Sequence, residues 1–397
     1  MNSGPRLRST FASIDLEKLC ANLTELRSMV APEEFFCPMV KANAYGHGAI
    51  EVSKKLVTIG VNHLGVALVE EGVQLRVAGL DKVQILVFGP TYTDVSAHAL
   101  LAHKLTPVLS SWEEMKVLDQ NLPLNSQYPV HIKFDTGMHR LGFSPAEVIP
   151  LRKYFDAQKK LHVQGLCTHL SDGEDLFNAE GYTQTQLRAF RHILSGWSGE
   201  FSVHALNSAA LVARHQSGNE LSKGLGARPG ISLYGVCPEI LGTQEGHADP
   251  KKPRLHGVLQ VHSSIVNLHR IDKGQRVSYN GRWQAPRPSV IGTVAFGYAD
   301  GFPRRLSNKG VVLYRGQRVP VIGTVCMDYI LVDITDVATP PPILGEEVVV
   351  IGQQQDQAIA ADEIATLAET ISYEIFTGIA SRVPREYLSG NISEVKA

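Results

Sequence analysis

The chain of 397 residues has no long hydrophobic run. None approaches the roughly 20 apolar residues that span a bilayer, and the first residues, MNSGPRLRSTF, lack the apolar core of a signal peptide. An excess of one charge is also missing, because 38 Lys and Arg face 39 Asp and Glu and the formal net charge is −1. A near-neutral chain gives no electrostatic reason to expect a nucleic acid or a membrane surface as the main partner.

Paired cysteines are lacking as well. The cysteines are odd in number and far apart in the sequence: Cys20, Cys37, Cys167, Cys237 and Cys326. Such a set is typical of neither a disulfide framework nor a zinc site, and it fits a reducing compartment. Together with the missing apolar segments, it predicts a cytoplasmic protein.

What the sequence does have is an alternation of short apolar runs and longer amphipathic runs between about residues 35 and 235. The apolar runs are FFCPMV, HLGVAL, VQILVFG, LTPVLS, PVHIKFD, HVQGLCTHL, FSVHALN and GLGARPG. Eight strands alternating with helices over about 200 residues predict an α/β fold, an N-terminal (β/α)8 barrel of the TIM type. Gly and Pro interrupt the eighth run, and the number of strands alone leaves a doubly wound open sheet as the alternative.

The composition of the sequence changes between Cys237 and Arg254, where a polar segment with prolines and mixed charges predicts a linker. Beyond it, runs such as SVIGTVAFGYAD and EEVVVIG predict strands without intervening helices. One helix is expected over ADEIATLAETISYEIFTGI. The predicted domains are therefore the barrel over residues 1–250 and a C-terminal mainly-β domain over residues 251–397.

In an α/β barrel the reactive side chains lie where the strands end. Here the predicted strand ends carry two lysines, a histidine, an Asn-Ser pair and an arginine: Lys41, Lys133, His169, Asn207, Ser208 and Arg228. This set has no carboxylate cluster and no metal-ligand spacing, which argues against metal-assisted hydrolysis and against a glycosidase. It suits an anionic ligand with a carbonyl group and a buried lysine of lowered pKa that condenses with that carbonyl.

The segment RPGISLYG, which begins at Arg228, predicts a phosphate site. The N–H groups of Gly230 and Ile231 would open a short helix towards an anion. Each of these residues alone also has an ordinary structural explanation: Lys41 as a solvated cation, His169 as a hydrogen-bonded core residue, Asn207 as a helix cap. Their convergence at the ends of separate strands favours a shared site.

Eight motifs in a constant order resemble those of alanine racemases, the PLP-dependent enzymes of fold type III. The resemblance runs from SIDLEKLCANL near the start to SRVPREY near the end, nearly the whole chain. The motifs that carry it are VKANAYGHG, HIKFDTGMHRLGF, HALNSAA, RPGISLYG, VSYNG, GYADGFPR, GTVCMD and SRVPREY. The resemblance implies a PLP-binding barrel, a C-terminal β domain and a head-to-tail homodimer with shared active sites.

By matching position, the resemblance gives two residues the acid/base roles. Lys41 would hold PLP and serve the D face of the α-carbon, and Tyr279 of the partner subunit would serve the L face. Two bases are needed because a planar intermediate must exchange a proton on both sides.

The resemblance also implies the remaining contacts. The cofactor would be bound by Lys41, Tyr45, His169, Asn207, Ser208, Arg228, Gly230 and Ile231. The substrate would be bound by Arg140 and, from the other chain, by Tyr298 and Met327. Lys133 matches a position that is often carbamylated in the family, and no metal is implied.

The activity implied by the resemblance is the interconversion of L-alanine and D-alanine, which supplies D-alanine for peptidoglycan. Ser381 departs from the pattern, because some members of the family have a tyrosine there, near the phosphate and the substrate gate. A looser pocket would admit serine, so a serine or broader amino-acid racemase stays an alternative, as does a barrel-type PLP decarboxylase. A PLP-binding homeostasis protein without turnover is the alternative of a different class.

Overall fold

The computed structural model describes residues 7–218, 220–241 and 251–389. The chain divides into two compact units. The unit we call the barrel unit comprises Cys20–Ala44 and Ala49–His256, and the unit we call the β unit comprises Met1–Leu19, Tyr45–Gly48 and Gly257–Ala397. The predicted linker from Cys237 to Arg254 lies partly outside the described residues, which omit 242–250. Within the described part of the chain, no helix is long and apolar enough to cross a membrane.

A parallel sheet forms the centre of the barrel unit. After strand β1 (Phe11–Asp15) and helix α1 (Leu16–Ser28), seven strands follow one another in sequence order across this sheet. They are β2 (His63–Val66), β3 (Gln84–Val87), β4 (Thr106–Leu109), β5 (Tyr128–Lys133), β6 (Leu161–Cys167), β7 (Ser202–Leu206) and β8 (Gly226–Ala227). Residues such as those of β4 are buried on both faces, as expected for strands covered by crossover helices.

Residues 36–39 close this sheet on itself. Phe36 bridges Ala227 at one edge, and Met39 bridges Gly65 at the other. The Cys37 N–H donates to the Ala227 carbonyl over 2.9 Å, and the Gly65 N–H donates to the carbonyl of Pro38 over 2.9 Å. The eight segments therefore make a ring, which confirms the predicted barrel and removes the open-sheet alternative.

Two details of the barrel differ from the regular strands that were predicted. The first segment, predicted over FFCPMV, is limited to isolated bridges, since Pro38 has no N–H to donate to a ladder. The eighth strand has only two residues, in keeping with the Gly and Pro that interrupt it.

Helices connect the barrel strands in the predicted alternation. They are α2 (Lys41–Tyr45), α3 (Ala49–Thr58), α4 (Val69–Val77), α5 (Asp94–Ala102), α6 (Trp112–Asn121), α7 (Val148–Ala157), α8 (Tyr182–Ser195) and α9 (Ser208–Ser217). Short 3₁₀ turns lie at Pro145–Glu147, Gly173–Asp175, Glu220–Ser222 and Ile231–Tyr234. Side-chain caps fix several of the helix starts: Thr93 accepts from the Ser96 N–H, and Ser111 accepts from the Glu114 N–H.

The β unit is built on a nine-stranded sheet. Besides β1, the β unit contains ten strands, of which all but β10 and β11 belong to this sheet. They are β9 (Leu259–Ile271), β10 (Arg276–Val277), β11 (Trp283–Gln284), β12 (Ser289–Val294), β13 (Val311–Tyr314), β14 (Gln317–Ile322), β15 (Ile330–Asp333), β16 (Glu347–Gln354), β17 (Gln357–Ile359) and β18 (Arg385–Leu388). The order is β17-β16-β13-β14-β15-β12-β9-β1-β18, and β16 also pairs with β9, so that six strands close into a ring. The strands β10 and β11 form a separate ribbon. The mainly-β class predicted for the C-terminal part is confirmed.

The prediction of a single helix over ADEIATLAETISYEIFTGI is wrong, because this segment forms two helices. Helix α10 (Ala361–Ala368) ends where Glu369 adopts a left-handed conformation with φ 56°, and α11 (Ser372–Gly378) begins after the extended Ile371. The last two 3₁₀ turns, Arg304–Leu306 and Thr335–Val337, and the turn Tyr279–Gly281 complete the unit.

Candidate active site

Lys41 lies at the carboxyl end of the first barrel segment, and the chain then makes a left-handed turn. Ala42, Asn43, Ala44 and Tyr45 all have φ between 51° and 54°. For residues other than glycine this conformation costs roughly 1–2 kcal/mol each. A run of four such residues is a strong sign of function, because surrounding contacts must stabilise it. The sequence predicted a turn here, but the glycines follow the left-handed residues.

The environment of Lys41 favours its neutral amine. Burial is the main cause that lowers the pKa of Lys41, and the positive charges of Arg140 and Arg228 add to the effect, while Glu71 opposes it. A neutral lysine amine is the form that attacks a carbonyl carbon. The lowered pKa therefore increases the share of neutral amine at Lys41, which is the form that binds an aldehyde cofactor.

Arg228 organises the base of the site. Its guanidinium donates to Nδ1 of His204 over 2.6 Å, to the Thr168 carbonyl over 2.8 Å and to Nδ1 of His169 over 3.3 Å. Because a guanidinium has only donors, both histidines must accept through Nδ1 and carry their protons on Nε2. Burial, followed by the charge of Arg228, lowers the pKa of both histidines well below the usual value, which keeps them neutral.

This network continues into the barrel interior. His204 Nε2 lies 2.8 Å from Nδ1 of His131, so His204 is the donor in that pair. Burial lowers the pKa of His131 to about 3. His131 and His204 were not predicted as part of the site. They lie inside apolar strands, where a histidine gives no pattern that distinguishes it from an ordinary core residue.

At the predicted phosphate site, the N–H group of Gly230 is already bonded within the protein. The Ser208 hydroxyl accepts from the Gly230 N–H over 2.9 Å and from the Ser232 N–H over 3.3 Å. Ile231 is buried at the start of a 3₁₀ turn, and no described residue accepts its N–H. A buried donor without an acceptor is unfavourable unless a ligand satisfies it. Asn207 caps α9 by accepting from the Ala210 N–H over 2.9 Å, its ordinary structural role.

Two further cationic residues complete the barrel rim. Lys133 is buried, and this burial lowers its pKa. Arg140 is exposed, and its guanidinium bonds to none of the described residues. Lys41, Lys133, Arg140, His169 and Arg228 influence one another electrostatically, so the structure brings these five predicted residues together.

Tyr45 belongs to the β unit, where its ring lies 5.9 Å from the ring of Tyr373. It is buried, and burial raises the pKa of its phenol above the usual value. A phenol that stays protonated can donate to an anion.

Tyr279, Tyr298 and Met327 lie on loops of the β unit that are hydrogen-bonded to one another. Thr324 donates to the Tyr279 carbonyl over 3.1 Å, and the Tyr298 N–H donates to the Cys326 carbonyl over 3.0 Å. All three side chains are exposed: Tyr279 by 67%, Tyr298 by 41% and Met327 by 53%. Large exposed side chains on linked loops are typical of a surface that meets a partner.

Asp300, in the GYADG motif, is a buried residue that the sequence analysis left without a role. Its carboxylate accepts from Arg8 over 2.6 Å, from Arg382 over 2.7 and 3.0 Å and from the Gly297 N–H over 3.0 Å. Arg382 also donates to Asp328 over 2.8 Å. Asp300 thereby joins the loop of Tyr298 to the loop of Met327. A buried Asp between two arginines far apart in sequence has no local signal.

The barrel rim fits an anionic aldehyde cofactor. It offers an amine of lowered pKa, a cluster of cations and the N–H group of buried Ile231, to which no described residue provides an acceptor. The fold and this rim together fit the class of barrel-type enzymes that bind a phosphorylated carbonyl cofactor.

Comparisons with known proteins agree with this class. The alanine racemase N-terminal domain family matches residues 14–238, and the alanine racemase C-terminal domain family matches residues 258–387. An alanine racemase of Halothermothrix orenii is 38% identical over 387 residues, 96% of this chain and 97% of that protein. The crystal structure of alanine racemase from E. faecalis has a TM-score of 0.86 at 28% identity, covering 96% of this chain and 98% of that one.

A third comparison concerns the cofactor. The structure of alanine racemase from Bartonella henselae with covalently bound pyridoxal phosphate has a TM-score of 0.80 at 32% identity, covering 96% of this chain and 99% of that one. The chain belongs to the alanine racemase family. Its predicted enzyme class, a PLP-dependent isomerase, and its predicted cofactor are confirmed at the level of the family.

Proposed function

We propose that the chain interconverts L-alanine and D-alanine, with PLP held on Lys41 and with Tyr279 of the partner subunit as the second acid/base group. The observation that carries this proposal is the amine of Lys41, of lowered pKa, among the cations of the barrel rim. PLP, when bound, supplies an electron sink that makes the α-hydrogen of an amino acid acidic enough to remove.

The two acid/base groups need different help. Lys41, when its nitrogen is not bonded to the cofactor, would accept a proton from the D face of the α-carbon as a neutral amine. Tyrosine has an ordinary pKa near 10, so a tyrosine base needs about 3–4 kcal/mol of assistance at neutral pH. We expect His169 to supply part of this assistance by donating its Nε2–H to the phenolic oxygen of Tyr279, because Nδ1 of His169 accepts from Arg228.

The other residues bind and orient. Tyr45, Ser208, Gly230 and Ile231 hold the phosphate, and Asn207 fixes the start of the helix that carries Ser208. Arg228 would hold the ring-nitrogen side of the cofactor and, as a group that keeps its proton, would leave that nitrogen unprotonated. We expect this weaker electron sink to favour racemisation over transamination.

Arg140 binds the substrate carboxylate, and Lys133 is carbamylated. The lowered pKa of Lys133 increases the neutral amine that combines with carbon dioxide. The resulting anion would pair with Arg140 and orient it.

The exposed loops of the β unit support a proposal for the assembly. We propose a cytoplasmic homodimer in which the part of residues 1–250 that forms the barrel unit binds PLP and residues 251–397 lend Tyr279, Tyr298 and Met327 to the partner. The exposure of these three side chains supports this proposal. The role of this homodimer would be to supply D-alanine for peptidoglycan.

Exchange of the α-hydrogen tests the reaction. In D2O, NMR should show deuterium entering L-alanine as the D-isomer appears, while the visible absorption of lysine-bound PLP is recorded on the same sample. L-Serine, tested separately, is the matched comparison. Faster exchange of serine would make the protein a serine racemase, and bound PLP without exchange of either amino acid would leave a PLP-binding protein.

Ser381 makes a second test possible, because it is exposed where some relatives carry a tyrosine. We expect Ser381→Tyr to lower kcat/KM for serine relative to alanine by about tenfold, since an added aromatic ring narrows a small pocket. Ser381→Ala is the control and should leave the ratio of the two kcat/KM values unchanged. An unchanged ratio in the tyrosine variant would mean that this position does not line the pocket.

A further inference from the structure

The carboxylate of Glu71 joins three backbone N–H groups at the barrel rim. One oxygen accepts from the Ala42 N–H over 2.6 Å. The other accepts from the N–H groups of Ala67 and Leu68, over 2.8 and 3.1 Å. Glu71 is the third residue of α4 and caps its start, so one side chain links the loop after β2 to the turn that begins at Lys41.

The contact with Ala42 acts directly on Lys41. The Ala42 nitrogen belongs to the peptide bond that follows Lys41, and the peptide bond is planar. Fixing this N–H therefore fixes the direction in which the chain leaves Lys41.

Packing and a polar contact hold the later part of the left-handed turn, since Ala44 and Tyr45 are buried and Nδ1 of His47 lies 2.9 Å from the Tyr45 carbonyl oxygen. Ala42 and Asn43 are exposed, so their side chains add little packing. The turn is otherwise supported by the Ala44 N–H, which donates to the Val40 carbonyl over 2.9 Å, and by Asn43, whose Oδ1 accepts from the Ala49 N–H over 2.8 Å. Without the Glu71 contact, Ala42 would favour the more common right-handed or extended conformations.

Glu71 also balances charge around Lys41. Arg140 and Arg228 disfavour a proton on Lys41, and Glu71 favours it. Lys41 in turn disfavours a proton on His169, to which Lys133 also contributes. Removal of the Glu71 charge would therefore leave the nitrogen of Lys41 facing positive charges alone.

We propose that Glu71 is a positioning residue for Lys41: its carboxylate locks the left-handed turn and sets the direction of the lysine that holds the cofactor. This inference rests on the proposed function of Lys41. It gives the first turn of α4, which otherwise serves only as a crossover helix, a part in the reaction.

The experiment compares two neighbouring substitutions in the holoenzyme. Glu71→Gln removes the charge and turns one acceptor into a donor that faces an N–H group. Glu70→Gln makes the same chemical change one residue earlier, on an exposed side chain, and is the matched control. Both are measured for kcat/KM with L-alanine, for the Kd of PLP and for the pH midpoint of the visible band of the lysine-bound cofactor.

We expect Glu71→Gln to lower kcat/KM between about tenfold and a hundredfold, as a small misplacement of a reacting group does. The Kd of PLP should rise, and the pH midpoint should move to lower pH because a negative charge that stabilised the protonated nitrogen is gone. Glu70→Gln should match the wild type in all three measurements.

A third variant separates position from charge. Glu71→Asp keeps the charge but has a shorter side chain, so it should lower kcat/KM while leaving the pH midpoint near that of the wild type. If Glu71→Gln fails to fold, Glu71→Asp still tests whether the position of the carboxylate matters. The inference would be overturned if both Glu71 variants had the same kcat/KM and the same pH midpoint as Glu70→Gln. A wild type without racemisation would instead refute the proposed function.

Discussion

Replacing Lys41 by alanine should remove the covalently held cofactor and reduce racemisation of alanine by at least about 10³-fold. The side chain is expected to do two things, binding PLP and moving a proton, and loss of general acid/base action alone costs about 10²–10⁴ in rate. The measurements are the visible band of lysine-bound PLP and the rate at which D-alanine forms. Lys41→Arg keeps a long nitrogen-bearing side chain but cannot bind a carbonyl carbon, so it should be equally inactive and shows that a nitrogen at this position alone is insufficient.

Mixing two inactive variants tests whether the site is shared. In a dimer with both sites between subunits, a Lys41→Ala chain paired with a Tyr279→Phe chain has one intact site and one doubly altered site. Random exchange makes half of the dimers mixed, so activity should recover to about a quarter of the wild-type value. A mixture of Lys41→Ala with Lys41→Arg is the control and should recover nothing. Absence of recovery in the first mixture, with exchange of subunits demonstrated, would place both residues in one chain.

The barrel could be predicted because each of its strands is a short apolar run, and the sheet order follows the sequence. The turn after Lys41 could be predicted only in part. Its left-handed residues are Ala42, Asn43, Ala44 and Tyr45, and nothing in an Ala or Tyr signals a positive φ. Local sequence shows where the chain turns, whereas the backbone conformation depends on a carboxylate 29 positions away.

Long-range polar contacts explain what else was missed. Arg8 and Asp300 are 292 positions apart, and His131 and His204 are 73 positions apart. Periodicity reports which face of an element is buried, and it carries no information on which two buried polar groups meet. The predicted cations of the rim were found together because barrel topology alone places strand ends side by side.

Substituting Asp300 should both destabilise the protein and weaken substrate binding. Asp300→Asn removes the charge between Arg8 and Arg382, and breaking a buried ion pair costs about 3–5 kcal/mol. Since the two arginines are 35% and 39% exposed, water compensates them in part, and we expect about 2 kcal/mol of lost stability. KM for alanine should rise because the side-chain tie between the loops of Tyr298 and Met327 is lost and only their backbone hydrogen bonds remain.

The pH dependence of unfolding distinguishes this role from a general packing defect. Burial alone would raise the pKa of Asp300, but hydrogen bonds from Arg382 and Arg8 outweigh burial and hold the pKa below its usual value. A carboxyl whose pKa is lower in the folded state stabilises the fold above its ordinary pKa of about 4, and this contribution is lost as the pH falls through the folded-state pKa. The difference between wild type and Asp300→Asn in urea unfolding should therefore be large at neutral pH and shrink in acid. Asp336→Asn, which breaks the exposed pair with Arg287, is the control and should leave the urea midpoint unchanged. A pH-independent difference would show that Asp300 acts through packing, and the tie between the two loops would then need another cause.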